Sequence, residues 1–170
     1  MRATCCGREG KIRVSSIKEF ADKYQEATNY FEKLVNSLQP SDLDTKAPGE
    51  WSARQIIHHM ADSEAQSYAR LRRLLAEPEG SVIQGYDEGA WAKSKNLGYE
   101  DLEITHSFAV TISVRNASTD LIRRMSLQDL EKFGTHTERG KFTVSDWLTA
   151  YSNHPFDHGA QLERAIKGLP

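Results

Sequence analysis

The chain is 170 residues long, with 22 Lys and Arg against 24 Asp and Glu, six His and two Cys. That length sets the expectation of one domain with a sizeable core, and a formal charge of −2 leaves no basic surplus to displace counterions from phosphates, which argues against a nucleic-acid partner. No apolar run approaches the roughly 18–20 residues that span a bilayer, so no membrane partner is expected.

The opening stretch, Met1 to Gly10, lacks the apolar run of a signal peptide. Cys5 and Cys6 are adjacent, poorly placed to bond to each other and without a partner elsewhere in the sequence. A disulfide scaffold is excluded on this reading, and a cytoplasmic location is the expectation. Residues 1–14 read as a loose tail ahead of a single domain over 15–170.

From Ile17 the apolar residues Ile17, Phe20, Tyr24, Ala27, Phe31, Leu34, Val35 and Leu38 recur at spacings of three and four, the signature of a helix. Ser15 or Ser16 is the candidate N-cap, and Gln39-Pro40 stops the run. A turn-rich loop over 40–49 leads to a second helix over 52–77, where Ser52 and Gln55 have the form of a capping box. Residues 80–98 are irregular, with room for one short helix. Over 101–125 the residues Ile104, His106, Phe108, Val110, Ile112 and Val114 alternate as in a strand. The segment nevertheless runs too long for a strand without a turn signal, and no second strand of similar quality exists to pair with it, so it reads as helix. A short turn over 134–140, a candidate hairpin, precedes a last helix over 143–167 that closes at Gly168. Four long helices predict an all-α fold, a four-helix bundle.

Histidine placement carries the functional signal. On the last helix, His158 lies inside the apolar stripe formed by Val144, Trp147, Leu148, Tyr151 and Leu162, and His154 lies on its edge. Their separation of four residues puts both rings on one face, the spacing at which two imidazoles chelate one ion. On the second helix the stripe through Ile56, Met60, Ser67 and Leu71 passes closer to His59 than to His58, so His59 is the inward candidate and His58 the surface one. His136, in a polar turn, is expected to be exposed, and His106 has no partner at ligand spacing. Pro155 deletes a hydrogen bond to the Tyr151 carbonyl, which predicts a kink or widened turn between the two histidines.

Four segments together resemble the DinB-like superfamily, within it the YfiT-like group of metal-dependent hydrolases and thiol S-transferases. They are Glu50-Trp-Ser-Ala-Arg-Gln-Ile-Ile-His-His-Met-Ala-Asp-Ser-Glu64, Arg70-Leu-Arg-Arg-Leu-Leu-Ala-Glu77, Tyr86-Asp-Glu-Gly-Ala-Trp91 and His154-Pro-Phe-Asp-His158-Gly-Ala-Gln161. The resemblance covers roughly residues 17–169. It implies an antiparallel bundle in an up-down-down-up arrangement, a homodimer, and a divalent metal ion held by His59, His154 and His158, the three residues the stripe argument selects. Pro155 departs from the family pattern.

Three neutral imidazoles leave positions open on a divalent ion, as in a catalytic site, and all-nitrogen ligation suits Zn or Ni. The expected activity is hydrolysis or transfer of a low-molecular-weight thiol to a small-molecule electrophile, the thiol being what the resemblance implies. Asp62, Glu64 and Gln161 are candidates to orient a ligand or an attacking water. Arg54, Arg70, Arg72 and Arg73 are candidates for an acidic cosubstrate, weighed against a solvated helix face. The alternative is a non-catalytic metal-stabilised dimer or binding module, whose ion would be saturated by a fourth residue such as Asp62 or His58.

Overall fold

The computed structural model describes residues 16–170; the expected tail over 1–14, Cys5 and Cys6 included, lies outside the described residues. In chain order the elements are α1 (Ile17–Asn36), α2 (Ala53–Ala76), β1 (Val82–Ile83), α3 (Glu88–Lys93), α4 (Thr105–Ile122), β2 (Phe133–His136), β3 (Gly140–Thr143) and α5 (Val144–Ala165). Among the described residues no helix is long and apolar enough to cross a membrane.

Side-chain caps set the helix starts. Ser16 accepts from the Glu19 amide at 3.3 Å, Ser52 and Gln55 form the expected reciprocal box, and Thr143 forms another with Asp146. Each such cap contributes about 1 kcal/mol. The alternating segment is helical, as read, but α4 is shorter than 101–125. Ahead of it the chain turns at Gly98, in the left-handed region at φ 64°, where the Asp101 and Leu102 amides donate to the Gly98 carbonyl. Behind it a box between Ser126 and Asp129 starts a separate turn.

Strands do occur, in segments too short to show alternation. β1 pairs parallel with β2, and β2 pairs antiparallel with β3, with Ile83 opposite His136 and Phe133 opposite Thr143. Gly134 is where β1 crosses closely: a Cβ there would stand 2.7 Å from the Ser81 carbonyl oxygen. This small sheet caps one end of the bundle, and Ile83 and Phe142 belong to its core.

The helix directions follow from cross-contacts. Tyr24 stacks on Trp147 and Tyr30 packs against Phe156, so α1 and α5 run parallel. His58 bonds Ser107 and Glu64 bonds Arg115, so α2 and α4 run parallel too. His59 meets His158 while the Ser67 carbonyl meets Trp147, making α2 antiparallel to α5. The order is up-down-down-up, with α1 and α2 diagonal across the bundle. Gly159 permits the close approach of α1, since a Cβ there would lie 2.3 Å from the Tyr30 ring.

Two apolar clusters fill the interior. One, near the sheet, centres on Tyr24, Leu71, Ile122, Trp147 and Leu148; the other, at the far end, on Phe31, Ile56, Met60 and Leu162. A polar layer separates them at Thr28, Glu64, Arg115 and His154. Arg115 has no exposed surface. Its Nε donates to Thr28 Oγ1 at 2.7 Å, Nη1 to Glu64 Oε1 at 2.7 Å and to the Tyr151 carbonyl at 3.1 Å, and Nη2 to the Tyr24 carbonyl at 3.0 Å. Its guanidinium also lies 3.8 Å from the centre of the Tyr24 ring. The Tyr151 carbonyl is the acceptor that Pro155 leaves without its helical donor, so Arg115 satisfies it and α5 continues through the proline as one helix.

Removing one member of this layer strands the other. Arg115→Met leaves the Glu64 carboxylate buried without its counter-charge, with only the His154 and Tyr24 hydrogen bonds, which should cost about 3–5 kcal/mol. The expected result is a lower urea midpoint at unchanged m value, with part of the loss recovered in the double variant Arg115→Met/Glu64→Leu.

Candidate metal centre

His59 comes from the middle of α2, and His154 and His158 from successive turns of α5. Their ring centres lie 4.7 Å (His59–His158), 5.9 Å (His59–His154) and 4.5 Å (His154–His158) apart. One ligand nitrogen from each ring lies within 4.8 Å of the other two. The structure thus brings together the three histidines picked from the sequence, Pro155 notwithstanding.

Each ring is prepared differently. His158 Nδ1 lies 2.8 Å from Gln161 Oε1, an acceptor, so this nitrogen carries the proton and Nε2 is left with its lone pair. His154 Nδ1 lies 3.1 Å from Glu64 Oε1 in the same sense, and Ser63 Oγ sits 3.3 Å from His154 Nε2. The Nδ1 atom of His59 is buried with no hydrogen-bond partner. Such an atom is costly in a protein interior unless something coordinates it, so the donor set fits a divalent ion.

The electrostatics agree. Burial, then the neighbouring His158 and His154, push His59 down to about 3. Burial, then His154, push His158 down to about 4 against the opposing Gln161 bond. Both rings are neutral near pH 7, the state that ligates metal. Burial by itself would raise the Glu64 carboxyl, but the Arg115 charge and the His154 and Arg115 hydrogen bonds outweigh it and hold the group ionised below its usual value. A carboxylate fixed in this way behind a ligating histidine sets its tautomer and ring direction.

Other expectations are redistributed. Asp62 does not reach the rings; it accepts from the Tyr99 hydroxyl at 2.6 Å. Tyr99 and His59 both meet the edge of Trp51, with ring centres 6.4 and 5.0 Å away, so Asp62 braces the aromatic wall beside His59. His58 is not on the surface. It is 4% exposed, wedged between Ser107 Oγ at 2.8 Å and the Leu102 carbonyl at 3.2 Å, because the loop before α4 folds over that face of α2. His136 is likewise buried, not exposed: the hairpin over 134–140 pairs with β1 and turns the ring inward against Phe142.

Of the four arginines, Arg54 is held by Asp44 and the Leu102 carbonyl, Arg72 stacks on Tyr68 and Arg73 pairs with Glu77. Arg70 alone faces the region of the histidines, donating to the Tyr151 hydroxyl at 2.8 Å. Arg115 went unnoticed in the sequence. Its signal was present: it shares a spacing of three and four with Phe108, Thr111, Ser118 and Ile122, so a charge stands on an inward row.

Fold and site define a helical bundle with an imidazole cluster between two antiparallel helices. The chain belongs to the DinB superfamily, whose family profile matches residues 23–162. A relative from Oceanobacillus iheyensis, named "Putative metal-dependent hydrolase", is 29% identical over 160 residues, covering 94% of this chain and 91% of its own. One from Bacillus cereus with the same name is 29% identical over 159 residues, covering 93% and 90%. Among solved structures, YfiT from Bacillus subtilis, described as a probable metal-dependent hydrolase with an unusual four-helix bundle topology, superimposes with a TM-score of 0.79 at 24% identity, covering 100% of this chain and 95% of its own.

The depressed imidazoles fix how the metal-free protein responds to acid. Their folded values, about 3 and about 4, lie below the ordinary 6.5, so between pH 6.5 and 4 the unfolded chain takes up protons the folded chain refuses. Stability is therefore full above that window and falls as the pH drops through it, by about 1.4 kcal/mol per pH unit for each ring. Urea midpoints of chelator-stripped protein from pH 7 to 4.5 should trace this slope, and His59→Leu should flatten it by about half.

Proposed function

We propose that the protein is a metal-dependent enzyme that holds one divalent ion, Zn or Ni, through His59, His154 and His158, and acts on a small molecule by hydrolysis or by transfer of a low-molecular-weight thiol. The observation that carries this reading is the buried, unpartnered Nδ1 of His59, set beside two imidazoles whose Nδ1 atoms are already engaged by Glu64 and Gln161. Relatives named as metal-dependent hydrolases support the hydrolytic half. The thiol half rests on the sequence resemblance.

A divalent ion with open positions supplies Lewis acidity and brings water or a thiol to its nucleophilic form near neutral pH. The chain's own groups do the rest. Gln161 and Glu64 keep the Nδ1 protons of His158 and His154 in place, which aims the opposite nitrogens at one point. Ser63, 3.3 Å from His154 Nε2, donates to that nitrogen when nothing else claims it. Trp51, braced through Tyr99, screens one side of His59 from water.

A purely structural ion would be saturated by protein. The two candidates for a fourth ligand, Asp62 and His58, are engaged elsewhere, with Tyr99 and with Ser107 and Leu102. Among the described residues the ligand cluster contains three histidines and no fourth group. That favours the catalytic reading over the scaffold.

Tag-free protein should carry about one divalent ion per chain by inductively coupled plasma mass spectrometry, and His158→Ala should carry none. Gln161→Leu should keep the fold but weaken metal affinity by about 10–100-fold in a chelator competition. Absence of any ion from the wild type after Zn or Ni loading would sink the proposal. A panel of esters, amides and thiol–electrophile pairs, run with and without added metal, separates hydrolase from transferase.

A further inference from the structure

Beside the histidines, between α2, α5 and the sheet, lies a cavity of about 110 Å3 that reaches Ser63 and His154. Taking about 30 Å3 per water, it has room for three or four waters, the size of one functional group and not of a whole substrate. We infer that this cavity is the subsite for an oxyanion, a carboxylate or phosphate, carried by the small molecule that reacts at the histidine cluster. The inference rests on the proposed function for its place in catalysis, and on the cavity's own chemistry for its ligand.

That chemistry is nearly all donor. Arg70 gives Nη1 to the Tyr151 hydroxyl and Nη2 to the Gln84 carbonyl, both at 2.8 Å, while its Nε is buried with no partner. The Tyr151 oxygen accepts from Arg70, which leaves its own proton free to donate. The Tyr86 hydroxyl, also on the cavity wall, is buried without a partner. His136 Nδ1 accepts from the Glu138 amide at 3.2 Å, so the ring's proton sits on Nε2 and that nitrogen is a donor. Arg139 brings a second permanent charge from the hairpin tip, against one carboxylate, Glu88, on the lining.

Burial raises the pKa of Tyr86, so its hydroxyl keeps its proton near neutral pH. Burial and the two arginines hold His136 neutral. A cationic donor would satisfy none of these groups, and a neutral carbonyl accepts from at most two of them. An oxyanion accepts from several at once, and hydrogen bonds to a charged acceptor are the strong ones. The larger cavity, about 560 Å3, has Trp51 in its wall and touches none of the three histidines. Placement of the oxyanion beside His154 selects substrates whose charged group is a short reach from the reacting centre.

Binding to the metal-free full-length chain tests this without any turnover. Side-chain NMR of the Arg70 Nε–H and the tyrosine ring signals is followed while acetate, inorganic phosphate or neutral acetamide is added, at constant ionic strength. Saturable shifts with acetate or phosphate, and at least about tenfold weaker binding of acetamide, are expected. Whichever anion binds tighter identifies the source of the oxyanion. Tyr86→Phe removes one buried hydroxyl and should weaken the anion by about tenfold with little change in thermal stability; Arg139→Gln, at an exposed tip, should weaken it less. Linear drift alike for all three additives, or saturable binding indifferent to both variants, overturns the subsite. Metal content separates the two ideas: anion binding without metal uptake removes the metal reading alone, and metal uptake without anion binding removes the subsite alone.

Discussion

A permanently charged guanidinium with no exposed surface, at the centre of a small helical bundle, constrains everything around it. Burying Arg115 is expensive, and a buried ion pair is weak evidence for stability in itself, since apolar replacements of similar volume are often no worse. What the layer around Arg115 supplies is position. The guanidinium keeps Glu64 ionised, the carboxylate keeps the proton on His154 Nδ1, and the opposite nitrogen of His154 is thereby turned to His59 and His158. The same guanidinium completes the Tyr151 carbonyl that Pro155 orphans. One side chain from α4, which contributes no ligand, thus fixes the geometry of α5, which contributes two.

The helix order makes this possible. With α1 and α2 diagonal, α4 and α5 each pack against both, and Arg115 reaches α1 through Thr28 and Tyr24, α2 through Glu64 and α5 through Tyr151. The apolar clusters on either side shield the layer from water, which strengthens its electrostatics and makes any unpaired member costly. Four helices therefore share one polar tie, which touches the apolar cluster at Tyr24 directly and the histidines through Glu64.

How much of this was legible in the sequence depends on what kind of force decided each feature. The long helices and their caps were legible because local rules govern them: Ser52 with Gln55, and the spacing of three and four in α1 and α5, need no tertiary knowledge. The three histidines were legible because period and burial stripe coincide on α2 and α5. The environments of His58 and His136 were misread because each is covered by a segment distant in sequence. Leu102 and Ser107 close over one, and the pairing of β2 with β1 over 50 residues apart turns the other inward. Arg115 was overlooked for a related reason. A helix with so many small polar residues, Thr111, Ser118 and Thr119 among them, shows a faint stripe, and its inward row becomes visible only when partners for the charge are in view.

The sheet, which the periodicity of the chain does not announce, completes the logic of the site. β3 runs directly into α5 through the Thr143 cap, and β1 follows α2 after a five-residue connection over 77–81. The two helices that carry the imidazoles are therefore joined to the two outer strands of the sheet, and the β1–β2–β3 pairing locks their ends together. His136 and Arg139 on the hairpin, and Tyr86 just after β1, are brought to the cavity by the same few backbone hydrogen bonds. A group bound there and the histidine cluster would be held by the same frame, α2, α5 and the sheet between them. Precision of that kind is available to a site built on paired elements and a capped helix, and is harder to reach on loops alone.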